Sequence, residues 1–129
     1  MSFSNTFETH VLNYVFTATS VTRPTAWYLA LFTSNPAEDA SGTEVSTSGT
    51  AYARQSASFT VSGNTATTSA AIEFPEATGS GFGTVTHVGV FDASSSGNLI
   101  AYSALSASKA IAAGDVFRVP AGDFDLTLD

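Results

Sequence analysis

Trp27-Tyr28-Leu29-Ala30-Leu31-Phe32 runs for six residues without polar alternation, the pattern of a strand covered on both faces. As a central strand it needs neighbours on both edges and cover on both sides. The segment before it offers one such cover. Phe3, Phe7, Val11, Tyr14 and Val15 recur at helical spacing, while Thr6, Thr9, His10 and Asn13 fall on the other side. This predicts a short amphipathic helix within residues 1–18, packed over the subunit's own sheet or swapped to a neighbour. Asn5 and Glu8 have capping-box spacing at its start. Pro24, after the β-branched stretch Thr17 to Thr22, stops the helix near Ala18.

On the other side of the central strand, Ser34-Asn35-Pro36 opens a long acidic loop, residues 34–50, containing Glu38, Asp39 and Glu44. It shows no periodicity until about Ala51, and a loop of this length is expected to be mobile or functional. Strand-like segments then follow at short intervals. Tyr52 to Val61 and Ala66 to Phe74 flank the turn Ser62-Gly63-Asn64 as a first hairpin. Thr84 to Asp92 and Leu99 to Leu105 flank Ser94 to Asn98 as a second. Val116 to Val119 and the alternating Phe124 to Asp129 close the chain. Turn signals every 8 to 12 residues predict a mainly β fold. The expected form is an antiparallel β-sandwich or jelly-roll-like barrel with one short N-terminal α-helix, residues 1–129 making a single domain.

Composition narrows the function. Of 129 residues, 43% are hydrophobic and ten are Phe, enough for a core without metal or disulfide support, and there is no Cys to supply either. Eleven acidic residues against four basic ones give a charge of −7. Arg23, Arg54, Lys109 and Arg118 are scattered along the chain, so neither nucleic acid nor an anionic membrane is an expected partner. The chain is rich in small residues, with 18 Ser, 18 Thr and 20 Ala, a bias shared by secreted and virion surface proteins. Met1 to Phe16 lacks the basic and continuously apolar regions of an export signal.

Residues that carry chemistry are few. A nucleophilic triad needs a base, and only His10 and His87 are present, without a GxSxG elbow. His87 reads as a packing residue sharing a strand face with Val85 and Gly89, and His10 as a solvated helix residue. Glu38, Asp39, Glu44 and the Asp92 to Asn98 turn carry oxygen ligands of the kind calcium takes, but ordinary turn chemistry accounts for both. Gly79-Ser80-Gly81-Phe82-Gly83 lacks the Lys and helix start of a phosphate loop and reads as a hinge or turn. Trp27, Tyr52, Tyr102 and Phe82 have the ring surfaces that stack on sugars, although aromatics inside strand runs are more often core. No catalytic residue, metal site or cofactor is expected.

Several segments together resemble a known family. They are Trp27 to Thr33, Gly42-Thr43-Glu44-Val45, Tyr52-Ala53-Arg54-Gln55, Phe74 to Thr78, Gly83 to Ala93, Gly97-Asn98-Leu99, Ala113-Gly114-Asp115 and Ala121-Gly122-Asp123. In order and spacing they are similar to small tailed-bacteriophage virion structural proteins, commonly labelled tail fibre or hypothetical phage proteins. The resemblance implies a non-enzymatic virion component, assembled in the host cytoplasm. It also implies a homo-oligomer, dimer or trimer, whose partners are the major capsid protein or other virion structural proteins. Beside that pattern, Arg54 at a strand start is expected to pair with Glu44 or Glu38 and pin the long loop. Gly89 within a strand marks a close backbone approach or a bulge. Intersubunit contacts are expected at Glu38, Asp39, Glu44, Arg54, Gly79 and Phe82. Chain length favours a head decoration or cement protein that binds and stabilises the head shell, which is the expected role; the family labels favour the alternative, a tail-fibre or tail-tip subunit touching a host glycan through Trp27, Tyr52 and the acidic loop.

Overall fold

A computed structural model describes all 129 residues. The chain enters through β1 (Ser2–Phe3) and α1 (Asn5–Phe16), and continues through β2 (Tyr28–Phe32), β3 (Gln55–Ser56), β4 (Phe59–Ser62) and β5 (Thr65–Thr68). It then runs through β6 (Ile72–Glu73), β7 (Gly83–Phe91), β8 (Leu99–Ile111), β9 (Arg118–Val119) and β10 (Asp125–Thr127). A five-stranded antiparallel sheet, ordered β1-β8-β7-β2-β3, forms one layer. A three-stranded sheet, β10-β5-β4, and the pair β6-β9 face it across the core. The fold is therefore mainly β, antiparallel and sandwich-like, with one short N-terminal helix.

β2 has the predicted place, paired along its length with β7 and at its start with β3. Leu29 and Leu31 point into the main core with Val85, Val88, Val90, Ile100, Phe74 and Phe117. Ala30 and Phe32 point the other way, into a small cluster with Phe91 and Leu99. The helix does not cover that second side. Its one buried residue, Phe7, joins the main core instead.

Both helix ends differ from the expected ones by small shifts. Phe3 belongs to β1, where Ser2 and Phe3 pair with Tyr102 and Ala101. The N-cap is Ser4 rather than Asn5: the Ser4 hydroxyl accepts from the Phe7 N–H and donates to the Leu99 carbonyl, tying the helix start to β8. Thr17 closes the helix, its N–H donating to the Asn13 carbonyl at 3.2 Å.

The 34–50 segment is pinned rather than loose. Thr33 N–H donates to the Thr43 carbonyl and Val45 N–H to the Leu31 carbonyl, both at 2.9 Å, and Glu44 bridges Phe32. Val45 enters the core. Two backbone hydrogen bonds on either side of the Glu44 bridge fix a segment whose sequence has no period. β8 also runs past Leu105 to Ile111. Opposite it, Val85 pairs with Lys109 but His87 with Ala104, so Leu105 to Ser108 face Thr86 alone in a wide bulge. That shift puts Val85, Val88 and Val90 together in the core. His87 therefore does not share a face with Val85.

Candidate functional site

The densest polar cluster lies where the acidic segment, the start of β3 and the β7–β8 turn meet. Glu44 reaches it because the Phe32 bridge holds it beside β2, and Arg54 because it stands next to β3. The two pair through two of the three guanidinium nitrogens: Arg54 Nε donates to Glu44 Oε1 at 2.8 Å and Nη2 to Oε2 at 2.9 Å. Arg54 Nη1 donates to the Ala93 carbonyl at 3.0 Å and the Ser96 carbonyl at 2.7 Å. Its plane covers Phe91, with Cζ 3.6 Å from the ring centroid. One guanidinium thus joins three segments and covers the aromatic end of the small cluster on β2's second side.

Tyr52 completes the cluster from within. Its hydroxyl donates to Glu44 Oε1 at 2.7 Å and accepts from the Leu31 N–H at 3.0 Å. Burial pushes its acidity far down, and the Glu44 charge adds to this, so the phenol stays protonated well above pH 10. Its ring stacks on Phe74 and meets Phe82 edge-on at 5.6 Å. A phenol held neutral, a paired carboxylate and a guanidinium with four acceptors hold the chain together. The Ala93 and Ser96 carbonyls of the Asp92 to Asn98 turn are thus taken up by Arg54. Both Asp92 carboxylate oxygens accept from Asn98.

Of the residues expected to act together, Glu44 and Arg54 meet as the sequence suggests, and Glu38 stays apart. The Glu38 carbonyl accepts from the Asn5 N–H at 3.1 Å, and its side chain lies exposed at the helix start. Asp39 is exposed, and hydrogen bonds from Ser41 hold its carboxyl below the usual range. Gly79 lies at the surface, packed so closely on the 46–50 segment that an added Cβ would strike the Gly49 carbonyl oxygen. Phe82 and Tyr52 are buried, and the Arg54 side chain is only 8% exposed. The core takes both rings and Glu44 takes the guanidinium. Trp27 is half-buried and lines an apolar groove with Phe59 and Val61. Thr86 Oγ1 lies 2.8 Å from Nδ1 of the half-buried His87. His10 is half-buried rather than solvated, its ring edge-on to Phe7 at 4.9 Å.

The sequence reading missed the outer side of α1. Val11, Leu12, Tyr14, Val15 and Phe16 are exposed, Tyr14 and Phe16 by more than three quarters. The signal was present in Leu12 and Phe16. At 100° per residue they fall toward the side of Thr9, so the apolar surface is too wide to be a core stripe alone.

The fold and its pinned polar cluster define a small antiparallel β module whose charged side chains fix loops to one another. A family model described as podophage GP4 fiber I protein gp80 matches residues 2–127, and the chain belongs to this family, Gp80. It is a phage virion structural protein. No curated protein matches the chain. No helix is long and apolar enough to cross a membrane.

Proposed function

We propose that the protein is a non-enzymatic building unit of a phage tail fibre, assembled in the host cytoplasm and held in the virion by contacts with other structural proteins. The observation that carries this reading is the match to a fiber protein family over residues 2–127, which spans the helix and all ten strands. The geometry supports it. Arg54, Glu44 and Tyr52 tie the loops to one another, as suits a structural subunit, while Glu38 and Asp39 stay exposed. The head-decoration reading rests on chain length, and length does not decide it, because many small copies can build a long object. Recognition of a glycan through Tyr52 has no surface in this fold.

Quantitative mass spectrometry of purified virions, scaled to the major capsid protein and combined with antibody labelling in the electron microscope, tests the reading. A few to a few tens of copies with label on the tail are expected. Hundreds of copies with label over the head would overturn it in favour of a cement protein.

A further inference from the structure

We propose that the groove between the two sheets beside Trp27 binds a free fatty acid anion of short to medium chain length, with its hydrocarbon inward and its carboxylate on Arg23. The first observation is an inward-facing side chain left uncovered. Val61 stands opposite Ala66 on β5, and Ala66 stands opposite Leu126 on β10, so the three form a row across one face of the small sheet. Leu126 puts that face into the core, and Phe59, two residues before Val61 on β4, packs against the same core. Val61 is nevertheless 74% exposed. The two sheets part at the β4 edge.

The second observation is the lining of the gap. A cavity of about 290 Å³ opens there, at the lower end of the range for small-molecule sites. Its floor is the core itself, at Val90, Ile100 and Leu126, and Trp27 and Phe59 stand beside it half-buried. Seven of its eight lining residues are hydrophobic. The hydroxyls of a saccharide would leave water there with one side chain to pair them, and burying unpaired polar groups opposes that. A hydrocarbon chain gains by entering.

The third observation is charge, and it selects the head group. The eighth lining residue is Arg23, which is exposed. The two ion pairs of the chain take Arg54 and Arg118, and Arg23 has neither partner. It is the only Asp, Glu, Lys or Arg in residues 9–37, and residues 55–72, which carry β3, β4 and β5, contain none. Asp125, next to Leu126, alternates to the other face of the sheet, where its Oδ1 accepts from Thr67. A guanidinium without counter-charge at the end of an apolar groove complements a carboxylate carried on a hydrocarbon chain. In a chain of net charge −7 the attraction is local, since the remaining charge is screened beyond about 8 Å at physiological salt.

Trp27 is the only Trp and lines the groove, so its emission reports occupancy without a label. The test is titration of the full chain with sodium hexanoate, octanoate and decanoate, followed by Trp27 fluorescence and by calorimetry. Saturable binding with a blue shift is expected, tightening about fourfold for each added methylene until the groove is full. Arg23→Gln should weaken decanoate at least threefold and leave decanol, the same chain without the charge, unchanged. Val61→Glu sets a carboxylate at an exposed position of the groove, and should weaken decanoate at least as much with an unchanged circular dichroism spectrum. Leu12→Glu, on the separate apolar surface of α1, should leave the titration as it was.

The absence of saturable binding up to millimolar concentrations would overturn the proposal. So would heat of binding without a Trp27 response, which would put the ligand elsewhere, or an affinity that does not depend on chain length. Decanoate binding that ignores Arg23→Gln or Val61→Glu, or that is lost in Leu12→Glu, would also overturn it.

Discussion

Replacing Arg54 with Met tests whether the polar cluster holds the fold. The substitution keeps an unbranched chain over Phe91 but removes the charge and every donor. Four interactions go: two hydrogen bonds to Glu44 and one each to the Ala93 and Ser96 carbonyls. The stacked guanidinium over Phe91 goes with them. The larger cost is what remains, a carboxylate with three quarters of its side chain out of water and no counter-charge. Breaking a buried pair from one side costs about 3 to 5 kcal/mol, and Glu44's partial exposure places Arg54→Met toward the lower end. At about 3 to 6 °C per kcal/mol for a chain of this length, the melting temperature should fall by roughly 10 to 15 °C. The assay is urea and thermal unfolding, followed by circular dichroism and by the fluorescence of Trp27, the only Trp. A cycle with Glu44→Gln, which keeps an oxygen for the Tyr52 hydroxyl, separates the pair from its surroundings. The double variant should be more stable than the sum of the singles by about 2 kcal/mol. If Arg54→Met costs less than about 1 kcal/mol, the value of an exposed pair, or if the cycle is additive, the cluster does not hold the fold.

Three other outcomes follow from the same structure. Tyr52, whose acidity is lowered by burial, stays protonated in the folded chain after it ionises in the unfolded one, so the stability it contributes is full below about pH 10 and falls above it. Tyr52→Phe should flatten that alkaline decline in a pH series of urea titrations, while leaving the Leu31 N–H unpaired at a cost of about 1 to 3 kcal/mol at neutral pH. Gly89→Ala should cost about 1 to 3 kcal/mol, because its Cβ would lie 3.0 Å from both Leu99 and Phe32 in a packed cluster; an unchanged melting temperature would show that the two side chains yield. Ser4→Ala should cost about 1 to 2 kcal/mol and speed amide exchange in the first turn of α1, since one hydroxyl both caps the helix and ties it to β8.

What the sequence disclosed follows the range of each interaction. The central strand was legible because six apolar residues in a row admit few other readings, and the β4–β5 turn because Gly63 supplies the positive φ it needs. The Glu44–Arg54 pair was legible as a choice between two carboxylates, since a cation at a strand start needs a partner and the neighbouring segment was acidic. Long-range register was not. The bulge opposite Thr86 decides which valines face the core, and no residue of β7 or β8 announces it. The pinning of residues 43–45 depends on backbone groups that every sequence carries. Burial of Phe82 was hidden by its Gly-rich neighbours, which look like a flexible turn until Ile111 is found to accept its N–H.

The two ends of the molecule place polarity in opposite ways, and the difference bears on assembly. Around Arg54 the polar groups satisfy one another inside the subunit, so that region offers a neighbour little unsatisfied chemistry. Around α1 the apolar residues Leu12, Val15 and Phe16 have no cover within the subunit, although Thr17 and Ser4 cap both ends of the helix that presents them. A helix capped at both ends but packed through Phe7 alone is anchored by its first turn. The exposed apolar residues of its later turns add little to the subunit's stability, because the gain of about 25 cal/mol for each Å² comes only where apolar area leaves water. Deleting residues 1–18 should therefore weaken the body through the loss of β1, Ser4 and Phe7 from β8 and the core. Leu12→Glu, at an exposed position, should change the stability by less than about 0.5 kcal/mol. A reduced melting temperature in the deletion, with an unchanged one in Leu12→Glu, is the pattern that assigns the stabilising contacts of the helix to its first turn.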